Sequence, residues 1–213
     1  MKLTKMDHVA YITNDMVATI RFYRDLLGMR LVAGVGHPGF RHYFFEVGDG
    51  CVAFFEYPIA KPMKYDKFHG TPTDLPIGFD HIAFSVDSKE DLFEMKDRLE
   101  AAGIAVHGAV DHGIFWSMYF FDPVNNLPLE CAWNCVELTG APAMYEEVPL
   151  DIVAEGADPQ PGHWPEPKRR TPPEEMVATG GNGLPMRQAI LQAGKGRITP
   201  EGRAAGITAE VRN

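Results

Sequence analysis

A unit that occurs twice restricts a chain's fold more than composition does, because each copy must adopt the same local structure and bury its apolar face against the other. Here one copy opens with "DHVAY" at Asp7 and the next with "DHIAF" at Asp80, 73 residues on. After His8, alternation predicts a strand, and "NDMVATIRFYRDLLG" predicts a helix with Met16, Ile20, Tyr23 and Leu27 on one face and Gly28 as its stop. After His81, "DSKEDLFEMKDRLEAAG" repeats the helix: Asp87 or Ser88 caps it, Leu92, Met95 and Leu99 form the stripe, and Gly103 ends it. Three strand-like runs follow each helix: "MRLVAGV", "HYFFEV" and "CVAFFEYP", then "IAVHGAV", "SMYFFD" and "LPLECAW". Both copies read β-α-β-β-β, so the expected class is α+β, with two tandem modules over about residues 3–60 and 77–136 of a domain spanning 1–140. Aligning Tyr43 with Tyr119, and Glu56 with Glu130, leaves a two-residue gap in the last hairpin, "GDG" against "DPVNN".

Beyond Gly140 nothing echoes the repeat, and ten of the 17 prolines lie there. This predicts a Pro/Gly-rich C-terminal arm over 141–213, mostly irregular, with one short helix near 185–193 that takes Pro185 in its first turn. Trp164, Met176, Leu184, Ile190 and Leu191 are its candidate anchors, on the repeat domain or on a partner subunit. The 213 residues, 45% hydrophobic, fill a core, while a formal charge of -9 argues against nucleic acid. No apolar run approaches the roughly 20 residues of a bilayer span. Residues 1–5 lead into a strand rather than a signal peptide's apolar core, so the expected location is cytoplasmic. Cys51, Cys131 and Cys135 form no even set of pairs and are expected to be reduced and mostly buried.

Strand alternation places His8, Ala10 and Ile12 on one face and Val9 and Tyr11 on the other; His81, Ala83 and Ser85 sort likewise against Ile82, Phe84 and Val86. The closing strands end in Glu56 and Glu130, 48 and 49 residues after their histidines. Duplicated modules packed about a pseudo-twofold axis bring equivalent residues together, so two imidazoles and two carboxylates are expected to converge. That set suits one divalent ion such as Zn, Ni, Mn, Co or Fe(II), and leaves two coordination positions for adjacent substrate oxygens. Phe44, Phe54, Phe115, Trp116, Tyr119 and Phe121 are candidates for the lining of the cup.

The two opening motifs, "FYRDLLGM" in the first helix and "FFDPVNNLPLE" closing the second module resemble the vicinal oxygen chelate superfamily over about residues 3–136. That superfamily includes glyoxalase I, methylmalonyl-CoA epimerase, type I extradiol dioxygenases and the fosfomycin and bleomycin resistance proteins. The resemblance implies a cupped, barrel-like mixed sheet with helices outside and a metal at its base, held by His8, Glu56, His81 and Glu130. Glyoxalases and epimerases use all four positions. The dioxygenases use three, here His8, His81 and Glu130, and carry a catalytic histidine on the strand where this chain has "GDGCVAF".

The lead expectation is therefore a metal-dependent lyase or isomerase that chelates a small molecule through two vicinal oxygens, with Glu130 or Glu56 moving a proton through an enediolate. The alternative is an Fe(II) extradiol dioxygenase assisted by His112, and the third a drug-binding resistance protein that needs no metal. A glutathione substrate would need cations, of which Arg21 and Arg41 are the obvious ones nearby. A homodimer is expected, with the arm packing on the repeat domain or on the partner and the site lying within one chain or between two.

Overall fold

The computed structural model describes residues 4–64, 69–74, 78–181 and 183–209; the module boundaries expected at residues 3 and 77 lie outside them. The first module runs β1 (His8–Thr13), α1 (Met16–Ile20, continuing as a wider π-helical turn over Arg21–Leu26), β2 (Arg30–His37), β3 (Phe40–Val47) and β4 (Gly50–Glu56). The second runs β5 (Ile82–Val86), α2 (Lys89–Ala101), β6 (His107–Asp111), β7 (Phe115–Phe121) and β8 (Pro128–Asn134). Local chemistry sets the helix ends. The Asp15 carboxylate accepts from Ala18 N at 2.9 Å, and the Ser88 hydroxyl from Asp91 N at 3.0 Å. Gly28 and Gly103 then leave each helix at φ of +79° and +76°, where a side chain would be strained.

Each module forms a four-stranded mixed sheet, in the order β1-β4-β3-β2 and β5-β8-β7-β6. Only the β1–β4 and β5–β8 pairs are parallel. The sheets are cupped and do not close into a barrel. One face of each meets the helices in a shared core, with Met16, Tyr23, Phe45, Val52 and Phe54 from the first module and Leu92, Leu99, Met118, Phe120 and Leu129 from the second. Polar groups pin the modules together where the β7–β8 turn meets α1. Buried Tyr23 donates to Asp122 at 3.0 Å, and the Asn125 amide reaches Asp122 at 2.8 Å and Thr19 at 3.4 Å. The opposite faces, which carry His8 and His81, look away from this core.

The described residues after Asn134 hold no strand. They form short 3-10 turns at Asp151–Glu155 and Pro173–Glu175, then α3 (Leu184–Gln192) and α4 (Pro200–Ala204). Trp164 is 86% exposed and Met176 is also exposed, so neither anchors the arm within this chain, whereas Leu184, Ile190 and Leu191 are half-buried. All three cysteines are free thiols; Cys131 is buried and Cys51 half-buried, but Cys135 is exposed, against expectation. No helix of the described residues is long and apolar enough to cross a membrane.

Candidate functional site

The duplicated Asp-His dipeptide has a direct geometric meaning. Asp80 Oδ1 lies 2.6 Å from His81 Nδ1, and Asp7 Oδ1 lies 2.7 Å from His8 Nδ1. A carboxylate that takes the Nδ1 proton fixes the tautomer and turns the Nε2 lone pair outward, as metal-binding histidines require. These orienting aspartates stand in the quoted repeat itself, although sequence reasoning gave them no role.

In the second module His81 meets its carboxylate. Glu130 Oε2 stands 2.7 Å from His81 Nε2, Ser117 donates to Glu130 Oε1, and Glu130 is only 4% exposed. A neutral imidazole has one N–H for two carboxylates, so Nε2 faces Glu130 with a lone pair, and a cation or a proton must satisfy both. Neighbouring ligands about 2.1 Å from an octahedral ion lie about 3 Å apart, so the pair is already set close to chelating distance. Around it stand Tyr119, whose hydroxyl is 2.9 Å from His112 Nε2, and His69, whose ring stacks on Tyr119 at 3.3 Å and 9°. Burial, with Glu130 adding to it, raises the Tyr119 phenol above its usual range. His69 is lowered by burial and then by His81. It comes from the connection between modules, where no periodicity marks it.

The first module differs, and the strand register shows how. Ala83 pairs with Glu130 in the second sheet, and its counterpart Ala10 pairs with Ala53 in the first. The residue equivalent to Glu130 is therefore Ala53, which corrects the alignment of Glu56 with Glu130. Glu56 lies an odd number of residues further on, and so shares the helix-side face with Val52 and Phe54, away from His8. There it is 13% exposed, accepts from Met16 N at 3.0 Å at the start of α1, and pairs with Arg41.

Only some of the expected lining follows. Phe44, Phe115, Tyr119 and Phe121 share the histidine faces, but Phe54 is fully buried against Tyr23 and Trp116 faces the helix side beside Lys89. Neither expected cation reaches the site, since Arg21 pairs with Asp25 at 2.7 Å and Arg41 with Glu56.

His8 instead keeps aromatic company. Its ring meets Phe44 at 5.6 Å and His42 at 6.4 Å, and His42 stacks on Phe55 at 3.6 Å and 11°. Burial, and then His8, lowers the His42 imidazole below its usual 6.5, and its Nε2 is buried without a hydrogen-bond partner. Sequence reasoning missed His42, although "FRHYFF" alternates Phe40, His42 and Phe44 onto one face. Among the described residues no three histidine, cysteine or carboxylate side chains of one chain are placed to hold a metal ion together, so His8 is not grouped with His81 and Glu130. As a donor set, His8, His81 and Glu130 fit a divalent ion: two oriented imidazoles and one carboxylate, with the second and third already together.

No curated protein matches the chain. A glyoxylase/bleomycin resistance protein/dioxygenase domain from Frankia sp. EAN1pec is 22% identical, covers 62% of this chain and 99% of its own, and superposes with a TM-score of 0.53, a likeness of fold. A lactoylglutathione lyase from Agrobacterium tumefaciens is 26% identical over 62% of this chain and 96% of its own, with a TM-score of 0.45. The fosfomycin resistance protein FosX from Listeria monocytogenes, complexed with Mn(II) and sulfate, is 18% identical over 63% and 96%, with a TM-score of 0.48. The family model of the Glyoxalase/Bleomycin resistance protein/Dioxygenase superfamily matches residues 5–128, more than half of the sequence, and the chain belongs to that superfamily.

Proposed function

We propose that this protein is a metal-dependent ring-cleaving dioxygenase whose ion is held by His8, His81 and Glu130 and whose catecholic substrate binds through its two adjacent oxygens. The observation that carries the reading is the register that puts Ala53, and not a carboxylate, at the position equivalent to Glu130. Three protein ligands leave about three octahedral positions, room for both catechol oxygens and dioxygen, whereas four ligands leave about two. The lyase or isomerase expected from four ligands needs Glu56 on the ion, and Glu56 is engaged with Met16 and Arg41 on the other face.

Fe(II), if held by this set, would supply dioxygen binding and electron transfer. The chain's own residues position and exclude. Asp7 and Asp80 keep both imidazoles oriented, and the Ser117 hydroxyl holds one Glu130 oxygen so that the other faces His81. The hydrogen-bonded Tyr119 and His112 stand beside His81, where they can take and hold a proton released by a catechol hydroxyl. Because one chain does not gather all three ligands, the reading requires His8 of a second copy at each His81–Glu130 pair, in a homodimer with two equivalent sites.

Anaerobic Fe(II) loading followed by catechol and air is the test. The expected result is oxygen uptake equimolar with substrate and a yellow ring-opened product. Iron-loaded protein that consumes no oxygen overturns the reading, and solvent deuterium exchange next to the carbonyl of an α-hydroxyketone by the Ni or Zn form would restore the lyase or isomerase.

A further inference from the structure

The surroundings of His81 include a residue that neither repeat supplies. His69 comes from the connection between β4 and β5, and that connection is rooted on the turn between β7 and β8: Met63 N donates to Asn125 O at 2.9 Å, and the Asn126 amide donates to Met63 O at 2.7 Å. The Asn14 amide holds it again, donating to Ala60 O at 3.0 Å. His69 sets its ring on the face of Tyr119, at 3.3 Å and 9°. The same ring stands edge-on to His81 at 5.8 Å and 87°, and to His112 at 6.3 Å and 85°.

Tyr119 pairs across the strands with Glu130 and so shares the face that carries His81. A ring that meets Tyr119, His81 and His112 together lies on that face too, over the cup side of the His81–Glu130 pair. The burial agrees. Tyr119 is 6% exposed although its face looks away from the core, and the His81 side chain is 28% exposed against 41% for His8. In the first module the residue equivalent to Tyr119 is Phe44, whose neighbour His42 is tilted by 50° rather than stacked. A phenol in a site has two separate needs. Its hydroxyl needs a partner, here His112 at 2.9 Å, and its ring needs a wall on the open side, without which it swings about the Cα–Cβ bond and carries the hydroxyl away. His69 is that wall.

We propose that His69 is the positioning residue for Tyr119: stacked on the phenol ring, it keeps the Tyr119 hydroxyl on His112, so that the pair that takes the catechol proton is set before substrate arrives. Its part in turnover rests on the dioxygenase reading above, whereas the stack itself can be tested without iron. The role belongs to the ring face and not to an imidazole nitrogen, so phenylalanine should stand in for His69 and alanine should not.

The test compares the full chain with its His69→Ala and His69→Phe variants, with circular dichroism as the check on folding. Without metal, tetranitromethane nitrates accessible phenols, and peptide mass spectrometry reads Tyr119 against Tyr145, which is 94% exposed. His69→Ala is expected to speed nitration of Tyr119 about tenfold relative to Tyr145, the factor a strong aromatic pair contributes, and His69→Phe to leave it slow. In the iron-loaded protein, His69→Ala should lower kcat for catechol about tenfold with bound iron and KM little changed, and His69→Phe should restore most of the loss. A nitration rate or a kcat that folded His69→Ala leaves unchanged overturns the proposal, and so does a folded His69→Phe variant as impaired as His69→Ala. The two readings fail separately. Iron-loaded protein that consumes no oxygen refutes the dioxygenase, and the nitration rates then decide the His69 stack on their own.

Discussion

Two glutamates that look equivalent in the sequence do different work. Glu130 is buried, faces His81 and receives the Ser117 hydroxyl, whereas Glu56 holds the first turn of α1 and Arg41. Replacing each with glutamine separates the roles. Glu130→Gln is expected to reduce iron bound per chain severalfold or more, because it removes the negative ligand. Glu56→Gln is expected to leave bound iron unchanged and to cost about 1 kcal/mol of stability, the loss of a charge-assisted contact at a helix start. Metal analysis and urea denaturation of the two variants check this. Equal iron loss in both would put Glu56 back on the ion.

At the scale of elements, the β7–β8 turn does more than reverse the chain. Asp122 accepts from Val124 N at 2.7 Å, from Asn125 N at 3.1 Å and from the Tyr23 hydroxyl at 3.0 Å, so one buried carboxylate both builds the turn and holds α1 of the other module. Tyr23→Phe removes only the cross-module bond, and about 1–2 kcal/mol of stability should be lost in urea denaturation with bound iron unchanged. A loss of iron in step with stability would instead tie the turn to the site. Periodicity and stop signals were enough to read these elements from sequence: both helices, their glycine stops, the Ser88 cap and the β-α-β-β-β order. Register was not legible. The equivalent pairs are Ala10 with Ala83, Phe44 with Tyr119, and Ala53 with Glu130, so the displacement grows by two residues at each step and the second hairpin is the longer one. Aligning Tyr43 with Tyr119 slips by one residue, which turns the side chain to the opposite face, and the same kind of slip promoted Glu56. Spacing along a chain cannot show how strands pair across it. His69 escaped for a different reason, since a ring delivered by a connecting segment leaves no pattern.

The whole molecule does not group His8 with His81 and Glu130 within one chain, and it carries an arm whose Tyr145 and Trp164 are 94% and 86% exposed. If each site joins His8 of one copy to His81 and Glu130 of another, a His8→Ala chain and a His81→Ala chain are each deficient alone, yet complement each other when unfolded and refolded together. Random pairing in a twofold dimer should recover about a quarter of the wild-type iron sites. Iron content and oxygen uptake of the mixture measure this, and no recovery from a mixture that forms dimers would place each site within one chain.

Ala53 also has a meaning for redesign. The second module records what stands at that position when a glutamate occupies it: on the adjacent strand β7, Tyr119 lies directly across from the glutamate, and Ser117, two residues before it on the same face, steadies the carboxylate. The first module already offers Phe44 across from Ala53 and an oriented histidine at His8. If the ion is held as proposed, Ala53→Glu places a fourth ligand on the His8 face, beside His42 where the second module has Ser117.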